Sequence, residues 1–300
     1  MKHPFARSTS SPPYQTGQTR QTTTGLPPLW FWLSICAALF AAAGSITGLV
    51  MPERIYGKES ATLFDAVIAQ DLVNLFVVVP LTVVLGVLAF RGSLRSWLCL
   101  LGFLVFTAYN YAIYAFSIHF GPLFLVWVAV LGLAVFAFAG ALSAVNTTDV
   151  KALFTGTAGR LPAWFLLFTA VLFAVLWFSE IVPDLLTGRP SASAVSWNIP
   201  TNPVHVLDLA IFLPGVFASG LALLRDHWLG YATAAGALIF LGLTALPIFL
   251  TPFVAQAHDR ATGWTILAPM GVIIVAVSVI LWLWLRPKRV WAPSTAAESS

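Results

Sequence analysis

The sequence predicts an all-α integral membrane protein with eight transmembrane helices arranged as two parallel four-helix repeats. Three observations predict it. The chain is 59% hydrophobic and only 9% charged, with a mean hydropathy of +0.89, whereas soluble domains carry roughly 25% charged residues. Apolar stretches of about 20 residues, each long enough to cross a bilayer, recur along almost the whole length. Landmark residues also coincide when the sequence is shifted by 134 positions.

The spans follow in order. The first, Leu29–Met51, opens on PLWFWL. The second, Leu63–Phe90, carries Pro80. The third, Trp97–His119, contains TAYNYAIYAFSIHF, and the fourth is Leu123–Ala144. The fifth, Pro162–Val182, ends near Glu180. The sixth, Val204–Leu224, carries Pro214, the seventh, Leu229–Leu250, carries Pro247, and the eighth is Trp264–Leu285. Backbone groups in hydrocarbon must bond within their own segment, so each span is a helix. The weak ten-residue alternation of a membrane β-barrel is missing. The three prolines are expected to kink their helices.

Residues 1–28 are rich in Ser, Thr, Gln and Pro and read as a disordered cytoplasmic tail. They do not read as a signal peptide, because the apolar run that follows is too long. Residues 29–144 form the first repeat, 145–161 a cytoplasmic linker, 162–285 the second repeat and 286–300 a second cytoplasmic tail. Cys36 and Cys99 read as unpaired thiols within their spans.

Eleven basic residues fall on one side of the predicted spans: Lys2, Arg7, Arg20, Arg91, Arg95, Lys151, Arg160, Arg225, Arg286, Lys288 and Arg289. Four fall on the other: Arg54, Lys58, Arg189 and Arg260. Basic residues accumulate on the cytoplasmic side, which puts both termini inside.

At the 134-residue offset PLWFWL (Pro28–Leu33) meets PAWFLL (Pro162–Leu167). LFVVVPLTVVLGVLAFR (Leu75–Arg91) meets LAIFLPGVFASGLALLR (Leu209–Arg225), and GFLVF meets GALIF. Pro, Gly, Trp and Arg at one constant offset point to a duplication. Four spans return the chain to its starting side, so the halves run parallel, about an axis along the membrane normal.

The offset also pairs Asp71 and Asn74 with His205 and Asp208. Each pair sits at i and i+3, on one helix face. Gln70, Asn110, Tyr111, Tyr114, Glu180 and Asn202 gather at the same level. All lie toward the outer side, whereas the inner halves of the spans hold almost nothing ionisable. Ionisable residues in a membrane usually face a protein interior or a wet cavity. The expectation is therefore an outward-facing pocket formed by Asp71, Asn74, Asn110, Tyr111, Tyr114, Glu180, Asn202, His205 and Asp208. The loop PDLLTGRPSASAVSWNIPTNP would lie over it, as a lid or as a plain connector. Asp65 and His119, nearer the boundary, read as solvated.

The segments AQDLVNLFVVVPL, YNYAIYAF, WFSEIVPDL and TNPVHVLDLAIFLPG resemble those of a family of bacterial multi-pass membrane proteins without an assigned function. The resemblance covers most of residues 30–285. It implies a helical protein of the bacterial cytoplasmic membrane and supplies no substrate and no catalytic residue.

Three functions compete. The first is binding or transport of a small solute, cation or proton, with Asp71 and Asp208 as the binding acids. The second is a metal-dependent intramembrane enzyme acting on a lipid-like or periplasmic substrate. Asp71, His205 and Asp208 would hold a divalent metal there, although no H-E-x-x-H signature supports it. The third is a non-catalytic sensor or assembly subunit. No cofactor is expected, and the P-loop, G-x-S-x-G and G-x-G-x-x-G motifs are missing. The lipid bilayer is the expected partner and nucleic acid is not.

Overall fold

The computed structural model describes residues 25–154 and 159–286. The predicted tails and the middle of the 145–161 linker lie outside the described residues, as do five of the basic residues used to orient the chain. Every described element is helical. Eight helices are long and apolar enough to cross a bilayer, and their order is the predicted one: α1 Pro28–Val50, α2 Ala61–Phe90, α3 Leu94–Ser117, α4 Phe124–Ser143, α5 Arg160–Thr187, α6 Pro203–Leu224, α7 Trp228–Ala257 and α8 Trp264–Leu285. This is the architecture of a multi-pass membrane protein. Short helices at Pro52–Tyr56, Thr147–Leu153 and Ala192–Trp197 fill three of the connections.

Local chemistry sets the helix starts. Ser60 and Ser93 cap α2 and α3 with their side chains, and Asn202 caps α6 ahead of Pro203. Each satisfies a backbone N–H that would otherwise be orphaned. The helix ends diverge from the sequence reading in α5 and α7. α5 runs through Pro183 to Thr187, and α7 runs through Pro247 and Pro252 to Ala257. Membrane helices tolerate interior proline where neighbouring helices, hydroxyls or water can re-satisfy the freed carbonyls.

α2 and α6 share a departure from α geometry. Asn74–Val78 and Asp208–Phe212 are π-helical, and Pro80 and Pro214 follow two residues beyond. The Val79 N–H bonds the Asn74 carbonyl and the Leu213 N–H bonds the Asp208 carbonyl, five residues back in each case. A proline without an N–H breaks the ordinary ladder, and the widened turn absorbs the break. The two turns lie 134 residues apart, the offset at which the sequence aligns with itself.

α3 and α7 form the centre. α3 is the most enclosed span, with 78% of its apolar window buried. Where α3 crosses α7, Gly102 meets Gly236, also 134 residues on: a Cβ at Gly102 would stand 2.6 Å from the Gly236 carbonyl oxygen. Close backbone approach at small residues is the usual way that membrane helices dock. Around this crossing α1 packs on α2 and α4, and α4 also on α3. α5 packs on α6, α6 on α7, and α7 on α8. The halves differ at one seam. α1 packs closely on α4, whereas α5 and α8 scarcely touch.

The end of the bundle away from Pro28 and Leu285 is called distal below. There Asp65 of α2 is buried and paired, against the expectation of a solvated side chain. Its carboxylate accepts from Arg260 at 2.7 Å and meets His258 at 2.7 Å, and Arg260 also lies over the Phe64 ring. The partners follow α7, so this cluster clasps the two halves together. His119 remains partly exposed but also pairs, with Glu59 at 3.0 Å. Asp65→Ala is expected to cost about 1–2 kcal/mol, less than a fully buried pair because both partners are about one-third exposed. Thermal unfolding in detergent measures it, and an unchanged midpoint would reduce the clasp to a surface ornament.

Candidate functional site

The predicted pocket residues divide into two groups, and Tyr114 touches both. The first is enclosed within the α1–α4 half. Asp71 is 1% exposed and accepts three hydroxyls: Ser45 at 2.8 Å, Tyr56 at 2.7 Å and Tyr114 at 3.1 Å. Tyr114 also reaches the Val67 carbonyl, and Tyr111 donates to the Ala41 carbonyl at 3.3 Å. Burial and the neighbouring Asp71 hold the Tyr56 phenol well above its usual range, so it remains a donor. A Cβ on Gly48 would stand 2.3 Å from Asp71 Oδ2, so glycine is what lets α1 approach the pair. Tyr56, Tyr111, Tyr114 and Trp127 pack this region solid. Asp71, Asn74 and Tyr111 therefore do not line the pocket that the sequence grouped them in. Asn74 lies between the two groups, accepting from Gln70 at 3.0 Å and from Asn110 at 3.4 Å.

The second group lines a cavity of about 420 Å³ between the two halves. Asn110, Tyr114, Glu180, Asn202, His205 and Asp208 all face it, as does Gln70. Asp208 accepts from the Trp177 indole N–H at 2.8 Å, and the Tyr109 hydroxyl approaches it as a second donor. The Trp177 ring lies against the His205 ring, with centroids 4.6 Å apart. His205 Nε2 stands 3.7 Å from Glu180 Oε2, too far for a hydrogen bond but close enough for one ligand to touch both. Glu180 also accepts from the Ser193 backbone N–H, and Asp184 accepts from that of Ala192. These carboxylates hold the start of the Ala192–Trp197 helix, the favourable end for negative charge. The loop does lie over the cavity, since Ser193 and Trp197 line its distal end.

Below these groups the walls are apolar, with Phe106, Ile113, Phe173, Phe240, Met270 and Ile273 among them. Side-chain size differs between positions 134 residues apart. The positions matching Tyr111 and Tyr114 are Ala245 and Ile248, and both line the cavity. Aromatic side chains fill the first half where smaller ones leave the second half open.

Among the described residues no three His, Cys, Asp or Glu side chains come together to hold a metal ion. The proposed metal set is divided, with Asp71 inside the first half and His205 and Asp208 at the cavity. Trp177 is the site residue that the sequence reading missed. Its signal was a tryptophan one helical turn inside Glu180, deeper than the boundary belt where indoles usually collect.

No protein-family model, no curated protein and no solved structure matches the chain.

Proposed function

We propose that the chain binds a small amphipathic solute whose amine or other donor group is held by Asp208. The observation that carries this is the 420 Å³ cavity, a volume typical of small-molecule sites, with polar groups converging at one end of apolar walls. Asp208 and Glu180 outnumber His205 in charge, so the polar end suits a cation or a donor rather than an anion. Trp177 and Tyr109 fix the carboxylate and leave room for one more partner.

The cavity opens toward the periplasmic side in this reading. The basic residues support that orientation, because the distal connections carry few of them. Matching π-turns, matching prolines and the Gly102–Gly236 contact support descent of the two halves from one duplicated unit. Binding is favoured over transport because Leu98, Leu101, Leu104 and Leu238 are fully buried and close the centre beneath the cavity.

The test is tryptophan fluorescence of the purified protein titrated with butylamine and related water-soluble amines. Wild type should show saturable quenching. Asp208→Asn keeps the shape and the acceptor for Trp177 but lacks the charge. It should bind about 10–100-fold more weakly, the worth of one charge-assisted hydrogen bond. Equal binding by the two proteins would refute the assignment.

A further inference from the structure

We infer that the ligand is a single-chain membrane amine that enters sideways from the bilayer, between α5 and α8. The inference rests on the binding role of Asp208 given above and adds the route and the ligand class.

Four observations converge. α5 and α8 scarcely touch, although both line the cavity. They are also the least enclosed spans, each with 17% of its apolar window buried. Leu176 and Ile248 line the cavity yet are 50% and 40% exposed, so they mark its mouth. The mouth is deep. Leu176 lies eleven residues before the end of α5 and Ile248 nine before the end of α7, or about 14–17 Å along helices rising 1.5 Å per residue. α5, of 28 residues, and α7, of 30, are about 42 and 45 Å long. Each overhangs the roughly 30 Å hydrocarbon core by about 6–8 Å at either end, which leaves the mouth several ångströms inside it. An opening at that depth on the side of the bundle meets acyl chains, not water.

The polarity of the cavity follows that of the leaflet. Asp208 is five residues from the start of α6, so His205, Asp208 and Glu180 sit near the headgroup level. Phe173, Phe240 and Ile273 line the apolar remainder. A molecule lying like a lipid, with its amine distal and its chain toward the bilayer centre, matches both. Size selects one chain. At roughly 30 Å³ per water-sized group the cavity takes about fourteen such groups, a chain of about twelve carbons with its amine. A two-chain phospholipid does not fit.

The test uses the full chain in lipid nanodiscs with a diazirine-bearing dodecylamine, cross-linked by light and mapped by mass spectrometry. Labelling should fall on peptides from α5, α7 and α8 that line the cavity, and excess dodecylamine should compete it away. Leu176→Trp narrows the mouth without touching the polar end, and Ile248→Trp repeats the test from another helix. Each should cut labelling by about ten-fold, within the usual cost of overpacking, while Phe178→Trp, exposed on α5 outside the cavity lining, should label like wild type. Labelling that survives both tryptophans overturns the lateral route. If Asp208→Asn still weakens butylamine binding, the binding role of Asp208 stands without it. If butylamine binding is indifferent to Asp208, the binding role fails and the inference fails with it.

Discussion

Replacing Gly102 by leucine is expected to prevent the two halves from docking. A Cβ there would sit 2.6 Å from the Gly236 carbonyl oxygen and 2.8 Å from both the Gly236 Cα and the Ile239 Cβ. Two of those three atoms are backbone, which cannot rotate away as a side chain can. The helices must separate, and the buried faces of α3 and α7 lose their contact along the crossing. Overpacking a core usually costs about 1–3 kcal/mol, and a clash with backbone belongs beyond that range. Gly102→Leu should therefore give a protein that fails to elute as a single species from detergent, or that melts at a far lower temperature. Gly236→Leu should behave alike, with a Cβ 3.1 Å from the Gly102 nitrogen. Gly132→Leu is the control, because nothing lies within 4 Å of its Cβ. Equal stability of Gly102→Leu and Gly132→Leu would remove the crossing from its central place.

Gly48→Ala is the second large effect, expected to cost about 2–4 kcal/mol. The added methyl would overlap Asp71 Oδ2 and the Tyr56 hydroxyl, at 2.3 and 2.5 Å. Something must move, and the hydrogen bond between those two groups is the first loss. A buried acceptor stripped of a donor costs about 1–3 kcal/mol, and the steric term adds to it. Tyr56→Phe removes the donor without adding bulk and should cost about 1–3 kcal/mol. The difference between the two variants isolates the steric part. Melting curves for both in one detergent decide the matter, and a neutral Tyr56→Phe would mean that Asp71 does not depend on its phenol.

The number and order of the helices were legible because hydrocarbon imposes one rule on every span: about 20 apolar residues, bonded internally. Which face each helix turns inward was less legible. Asp71 and Asn74 share a face by spacing. Whether that face meets α1 or the cavity is decided by packing partners and by the widened turn that starts at Asn74. Tyr111 follows the same logic: its polarity suggested a wet pocket, but it fills the first half instead, whereas Tyr114 both packs there and reaches the cavity. His205, Asp208, Glu180 and Asn202 did come together, since short sequence distances and one loop tie α5 to α6. The partners of Asp65 stand 193 and 195 residues away. No local period reports a pairing of that separation.

The unequal enclosure of the spans has a consequence for where the molecule loosens first. α3 gains most of its contacts from protein, whereas α5 and α8 gain most of theirs from whatever surrounds the bundle. Opening of a segment costs little where few internal contacts oppose it. Amide exchange should therefore be slowest in α3 and fastest in α5 and α8. Changing the lipid should alter the outer pair and leave the centre nearly untouched. For these two spans the solvent is a structural component, so their rigidity belongs to the membrane as much as to the chain.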